Sequence, residues 1–156
     1  MIDFNRLTDY TKEVIYSAQQ KMYGYHNSQL EPIHIMLAIT EDNEGISKDY
    51  CKELKIDNDG FKHKIVNAIS ELPQIASSNT NQQLYLSQTT NNMFDTAKEN
   101  ADSLKDSFIG IEHILMAMTD LSGSKIQNIL NESKVTKSSV LNAMKKIRGN
   151  RKSDSA

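Results

Sequence analysis

The sequence predicts an all-α fold of about eight helices, arranged as two four-helix repeats that a pseudo-twofold axis relates. Apolar residues recur every three or four positions along most of the chain, and no segment alternates apolar and polar residues over the length of a strand. The 156 residues include only two prolines and six glycines, so long stretches are free to form helix. The second half of the chain also repeats the first, which indicates two copies of one unit within a single globular domain.

The internal repeat has a constant offset of 79 residues and aligns residues 7–40 with residues 86–119 without a gap. Its most similar part is His34–Thr40, which reads HIMLAIT, against His113–Thr119, which reads HILMAMT. An ungapped repeat of this length predicts that one four-helix unit has been duplicated.

Four helices are predicted in the first repeat, which we place at about residues 5–71. The first helix follows Thr8, whose hydroxyl is suited to cap it, and carries an apolar stripe at four-residue spacing. The second opens at Glu31-Pro32 and is apolar on nearly every side, which predicts a position in the middle of the domain. Two further helices are predicted at about 46–55 and 58–71. The stripe of the first helix consists of Tyr10, Val14, Ala18 and Met22, joined by Thr11 and Ile15.

A polar, uncharged segment at about residues 72–85 predicts a linker between the repeats, since it also carries a proline at its second position. The second repeat is then predicted at about 86–149. Residues 150–156 offer no apolar side chain except a terminal alanine, so we expect them to begin a flexible interdomain linker.

Composition excludes several classes of protein. Eighteen basic and twenty acidic residues give a formal net charge of −2, which offers no basic field for nucleic acid or anionic membranes. No apolar run approaches the roughly 20 residues that span a bilayer, and the N-terminal residues lack the pattern of a secretory signal. The single cysteine, Cys51, excludes an internal disulfide framework and favours a reducing compartment. We therefore expect a cytoplasmic protein that binds neither nucleic acid nor membranes.

Motifs for catalysis or for cofactor binding are absent from the sequence: there is no P-loop, nucleophile elbow, zinc-protease helix or paired Cys-x-x-Cys. We therefore expect no enzyme activity, cofactor or metal in this segment. Of the four histidines, only His34 and His113 occupy equivalent repeat positions. They form either a shared metal site or two side chains that bond neighbouring groups near helix starts. The second interpretation is favoured because no acidic or thiol partner lies at ligand spacing.

Three further groups of residues have two interpretations each. Cys51 is either a nucleophile or a buried thiol, and its alignment with Leu130 favours burial. Asp106 and Glu112 are either a general acid and base or surface carboxylates near a helix start, and the lack of a nucleophile or metal favours the second. Four methionines form either an adaptable binding stripe or part of the core, which their helical spacing favours. These are Met36, Met93, Met116 and Met118.

Several segments of the chain resemble the Clp N-terminal repeat of AAA+ protein-remodelling machines. They are Arg6–Thr8, the helix Glu31–Ala38 and its second copy Phe108–Ala117. The segments Leu72–Ile75 and Lys146–Gly149 are similar to those of the ClpB-type disaggregases in particular. The resemblance covers about residues 5–149, which is almost the whole chain.

This resemblance implies a substrate-binding domain that captures unfolded or aggregated polypeptide before a hexameric AAA+ ring threads it. The ATP and Mg²⁺ of such a machine belong to ATPase modules outside this segment. The implied partners are unfolded clients, the parent's own AAA+ modules and, through the parent, a DnaK-type chaperone. An alternative remains open, namely a domain that docks adaptors or folded partners, as in the protease-associated ClpC and ClpA types.

The resemblance also implies which residues bind the client. Residues implicated in the family match Thr8, Asp106 and Glu112 in type. A groove that is apolar in ClpB-type domains corresponds here to polar residues on the fifth helix and beside the glutamate. These are Thr96, Asn100 and His113.

Overall fold

The computed structural model describes residues 2–76 and 83–149, and within these ranges the chain is helical without a strand. A short 3-10 turn, Phe4–Arg6, precedes eight α-helices, so the predicted all-α class and helix number are confirmed. Residues 77–82 of the predicted inter-repeat linker and the predicted terminal linker 150–156 lie outside the described residues. The helices are α1 (Asp9–Gly24), α2 (Pro32–Glu41), α3 (Ile46–Glu53), α4 (Asp59–Ser70), α5 (Gln88–Ser103), α6 (Ile111–Thr119), α7 (Lys125–Glu132) and α8 (Lys137–Arg148).

The helix ends reproduce the repeat offset of the sequence. The Thr8 side chain accepts a hydrogen bond from the Thr11 N–H at the start of α1, as predicted, and Ser87 does the same for Thr90 at the start of α5. Four described residues other than glycine have a left-handed backbone conformation. They form two pairs, and the members of each pair are 79 residues apart, which is the repeat offset. These pairs are His26 with Lys105, which follow α1 and α5, and Lys55 with Lys134, which follow α3 and α7.

The two repeats are joined by a reciprocal backbone exchange. Leu7, before α1, pairs with Ile109 in the loop before α6, and Leu86, before α5, pairs with Leu30 in the loop before α2. Leu86 and Ile109 are the repeat equivalents of Leu7 and Leu30. The exchange therefore has the pseudo-twofold symmetry that the sequence predicts. Each repeat therefore supplies a segment that completes the other, and the two share one core.

The core is built around α2 and α6, which are buried over nearly their whole length. The four methionines of the predicted core have no exposed surface, and Cys51 is buried too, so both core interpretations are confirmed. Burial and nearby carboxylates raise the pKa of the Cys51 thiol to about 12, which disfavours a reactive thiolate. Among the described helices, none has the length and apolar character that crossing a membrane requires.

Candidate functional site

The corner between α5 and α6 holds two of the predicted site residues, Asp106 and Glu112. Helix α5 ends with Lys105 in the left-handed conformation, and the Asp106 N–H then donates to the Ala101 carbonyl at 2.9 Å. This C-terminal cap fixes Asp106 directly after the helix. Glu112 lies in the first turn of α6, where the helix dipole favours a negative charge.

His113 connects the two ends of this corner. Its Nδ1 accepts a hydrogen bond from the Gly110 N–H at 2.9 Å, so the ring proton is on Nε2, which donates to Asp106 Oδ2 at 2.7 Å. The ring has no exposed surface. The interpretation of His113 as a helix-start side chain bonded to its neighbours is therefore confirmed. Within residues 2–76 and 83–149, no three potential metal ligands come together.

Arg148, the last residue of α8, binds both carboxylates of the corner. Its Nη1 lies 3.0 Å from Asp106 Oδ2, while its Nη2 and Nε donate to Glu112 Oε2 at 2.7 and 3.1 Å. The Tyr50 hydroxyl of α3 donates to the same Glu112 oxygen at 3.4 Å. We call these five residues, Tyr50, Asp106, Glu112, His113 and Arg148, the Arg148 cluster.

The Arg148 cluster is almost fully removed from water, and its charges stabilise one another. Burial acts to raise the pKa of Asp106, but hydrogen bonds from His113 and Arg148 outweigh it and hold that pKa below its usual range. Burial acts to lower the pKa of Arg148, but its bonds to Glu112 and Asp106 raise it above the usual value. Burial and the Glu112 charge also raise the pKa of Tyr50. The lowered pKa of Asp106 and the raised pKa of Arg148 therefore favour an ion pair between these two side chains at neutral pH.

The expectation that Asp106 and Glu112 are surface carboxylates is wrong, since only 3% and 5% of their surface is exposed. The reason is that Arg148 and Tyr50, from two other helices, cover them. Sequence reasoning missed Arg148, although the repeat contains a signal for it. The offset aligns Arg148 with Ile69, a buried residue of α4. The repeat therefore indicates that Arg148 faces the interior.

Thr8 is brought to the same corner by the backbone exchange between the repeats. Its N–H donates to the Ile109 carbonyl at 3.0 Å, so it lies beside the loop that joins Asp106 to Glu112. Thr8 remains partly exposed while its side chain caps α1. Thr8, Asp106 and Glu112, the three residues matched to the family, thus meet around one loop. Thr8 lies 98 positions before Asp106 in the sequence.

The predicted groove residues are less accessible. Thr96 is partly exposed on α5, but Asn100 is buried and its Nδ2 has no hydrogen-bond partner within the described part of the chain. His113 lies inside the domain, so its assignment to a client groove, like that of Thr96 and Asn100, stays a prediction. The repeat-1 equivalents of Thr96 and Asn100 are Ser17 and Lys21, which line a pocket of about 220 Å³ between α1 and α2.

The equivalent corner of repeat 1 has the same geometry but holds neutral residues in place of Asp106, Glu112 and Arg148. His34 Nδ1 accepts from the Glu31 N–H at 2.9 Å, and its Nε2 donates to Asn27 Oδ1 at 2.8 Å, where repeat 2 has Asp106. Burial lowers the pKa of His34 to about 4. The positions of Glu112 and Arg148 are occupied by Ile33 and Ile69, both buried.

Comparison with known proteins places these features in a family. A family model described as the Clp repeat N-terminal domain matches residues 6–133. The chaperone protein ClpB of Bacillus anthracis is 26% identical over 152 residues, which are 97% of this chain and 17% of that protein. The ClpB of Brucella suis is 28% identical over 155 residues, 99% of this chain and 18% of that protein. The chain thus spans less than a fifth of the length of these relatives.

Solved structures show the same fold. The N-terminal domain of Hsp104 from Candida albicans superposes with a TM-score of 0.76 at 22% identity, covering 96% of this chain and 95% of that one. The N-terminal domain of the ClpV1 ATPase from Escherichia coli gives a TM-score of 0.73 at 16% identity, covering 98% and 91%. The chain therefore belongs to the Clp repeat N-terminal domain family, and its relatives in sequence include ClpB chaperones.

Proposed function

We propose that this chain is the client-binding N-terminal domain of a ClpB-type disaggregase, which captures unfolded or aggregated polypeptide for threading by an AAA+ ring. Similarity to ClpB chaperones along 97% of the chain supports this assignment. The ring, its ATP and Mg²⁺, and any DnaK-type partner belong to the parent protein that the proposal implies.

The observation that carries the proposal is the convergence of Thr8 with the corner of Asp106 and Glu112. The bond from the Thr8 N–H to Ile109 creates this convergence, and it joins the start of repeat 1 to repeat 2. An unfolded client presents an extended backbone and scattered side chains, so its receptor needs polar groups at a rim and carboxylates that attract basic side chains. The partly exposed Thr8 supplies a polar group at the rim, and the carboxylates of Asp106 and Glu112 lie buried beside it, paired with Arg148.

Weak binding at such a site suits the proposed role. A client has to leave the domain when the ring begins to pull it, so a tight complex would slow threading. Several copies of the domain in one hexamer would act together, and linked weak sites give an avidity well above the affinity of one. We therefore expect the isolated domain to bind an unfolded polypeptide with a Kd in roughly the micromolar range or weaker.

The test is an amide-resolved NMR titration of the domain with a permanently unfolded model protein and, separately, with the same protein folded. We expect shifts near Thr8, Asp106 and Glu112 with the unfolded form alone. Thr8→Ala should weaken binding about fivefold, or about 1 kcal/mol. Ser87→Ala is the matched control, because Ser87 caps α5 as Thr8 caps α1 but lies at the other repeat.

Two results of the titration would overturn the proposal, and one result of the variants would remove Thr8 from the site. No shifts with the unfolded protein would remove client binding, and shifts with the folded protein alone would favour the docking of folded adaptors. Equal losses in Thr8→Ala and Ser87→Ala would show that the two substitutions act only through the helix caps.

A further inference from the structure

The charges of the Arg148 cluster are more than the fold requires. Repeat 1 makes the same corner with Asn27 and His34, and it has isoleucine at the positions of Glu112 and Arg148. Removing charges from water is costly, and apolar residues of similar volume often stabilise a protein as well as a buried ion pair does. Repeat 1 shows that this apolar solution is available in the same architecture. The carboxylates of repeat 2 therefore call for an explanation other than stability.

The two carboxylates are arranged as a receptor for a guanidinium group. Asp106 meets Nη1 while Glu112 meets Nη2 and Nε, so the planar group is held on two of its edges. Planar, forked donors such as arginine suit this arrangement, whereas the ammonium of lysine is a point charge that cannot meet both sides at once. The geometry therefore selects arginine over lysine.

Gly110 makes room for this receptor. A Cβ on Gly110 would overlap Glu112 Oε1, because the carboxylate folds back over the start of α6. The backbone of Gly110 is extended, with φ −98°, so a side chain here would act by displacing the Glu112 carboxylate and not by straining the backbone. In repeat 1 the residue equivalent to Gly110 is Glu31, and the residue equivalent to Glu112 is Ile33. The small residue and the folded-back carboxylate thus occur together, in one repeat only.

We propose that Asp106 and Glu112 form a guanidinium-binding site, which Arg148 occupies in the free domain and which an arginine side chain of an unfolded client takes over by displacing it. The client half of this proposal rests on the proposed function. Arg148 is placed to leave because it is the last residue of α8. Its release requires that the final turn of α8 open and that a client guanidinium replace its bonds to the two carboxylates, and helix ends open at a low free energy. Binding to the client is weakened by the fraction of time that Arg148 holds the site.

The first experiment removes the internal occupant. Arg148→Met keeps the apolar stem of the side chain, and the equivalent position in repeat 1 holds the apolar Ile69. We expect this variant to bind N-acetyl-arginine amide at least about tenfold more tightly than wild type does. N-acetyl-lysine amide should bind more weakly, and adding Glu112→Gln should abolish the gain. Lys146→Met is the matched control, since Lys146 lies in the same turn but pairs with the exposed Glu53.

A second measurement uses the wild-type protein, so the proposal stays testable if Arg148→Met does not fold. The Nε–H of Arg148 donates to Glu112, and its nitrogen-15 resonance reports that bond. Titration with an unfolded polypeptide that contains arginine should move this resonance toward its solvent-exposed position. The same polypeptide with every arginine replaced by lysine should leave it in place.

The outcomes separate this inference from the proposed function. If the unfolded polypeptide binds equally well with lysine and leaves the Arg148 resonance unmoved, the inference is overturned and client binding stands. If Arg148→Met folds but shows no gain for the arginine amide, the guanidinium site is overturned. If that variant gains the arginine amide while wild type binds no unfolded polypeptide, the site is supported and the proposed function fails.

Discussion

The corner between α1 and α2 and the corner between α5 and α6 share a backbone but differ in chemistry. In each, a histidine three residues after a loop residue accepts the N–H of that residue and donates to a side chain seven residues upstream. The side chain is neutral Asn27 in one corner and charged Asp106 in the other. Only the second corner adds Glu112 and Arg148. The fold of this repeat therefore needs the histidine and an acceptor for it, and the charges serve another purpose.

This difference also assigns different roles to equivalent positions in α4 and α8. Ile69 of α4 contributes apolar surface to the core, whereas Arg148 of α8 contributes a charge that pairs with the carboxylates of Asp106 and Glu112. An apolar contact is non-directional and tolerates small changes, while a buried ion pair depends on each of its members. The two positions should therefore respond very differently to the same substitution.

The largest effect is expected from methionine at those two positions. Arg148→Met leaves two buried carboxylates without their cation, so we expect the free energy of unfolding to fall by about 3 kcal/mol at pH 7. Ile69→Met nearly conserves volume and should cost less than about 1.5 kcal/mol. Urea unfolding of both variants measures the difference. Equal losses would mean that the ion pairs add nothing beyond packing.

The next effect comes from moving the charge to the other repeat. Asn27→Asp places a carboxylate in a corner that has no arginine and removes the bond from Asn27 Nδ2 to the Pro73 carbonyl. We expect a loss of about 2 to 3 kcal/mol at pH 7, again by urea unfolding. The reverse change, Asp106→Asn, keeps an acceptor for His113 and one carboxylate for Arg148, so it should cost less. If Asp106→Asn lowers the free energy of unfolding more than Asn27→Asp does, the two corners do not differ in their tolerance of a carboxylate as we expect.

The two corners should also respond to pH in different windows. His34 has a pKa lowered to about 4 by burial, so between its ordinary value of 6.5 and about 4 the unfolded chain binds a proton that the folded chain does not. Stability should therefore fall as pH falls through this window, by about 2 kcal/mol between pH 7 and pH 5. Asp106 has a lowered pKa as well, but its contribution is lost only below its ordinary value of 3.8.

The measurement for this pH response is urea unfolding of wild type and His34→Gln at pH 7 and pH 5. The variant is expected to lack the His34 contribution, so its loss between the two pH values should be smaller by about 2 kcal/mol. A folded variant with an undiminished loss would assign that pH response to other groups.

The smallest effect concerns the helix caps, where the two repeats should behave alike. Thr8→Ala and Ser87→Ala each remove a hydroxyl that accepts one backbone N–H, so each should lower stability by about 1 kcal/mol. Thermal unfolding of the two variants tests this. A difference much larger than that would indicate that Thr8 stabilises the site beyond its cap.

Much of the fold was predictable because its determinants are local. Thr8 as a cap, Glu31-Pro32 as a helix start and the buried second helix all follow from residues within a few positions of one another. The repeat offset then transferred each of these signals to the second half of the chain. The bonds of His34 and His113 were predictable in kind for the same reason, since each reaches a neighbour three residues away.

The sequence by itself thus determined the helices, their caps and the two-repeat plan. It also identified Thr8, Asp106 and Glu112 as candidate site residues through their match to a family, but it did not show that they meet. Only the tertiary structure decided that the backbone of Thr8 lies against Ile109 and that Arg148 holds the two carboxylates. The physical reason is separation along the chain. Arg148 lies 42 and 36 residues from its partners, and no local spacing encodes which helix ends will pack together.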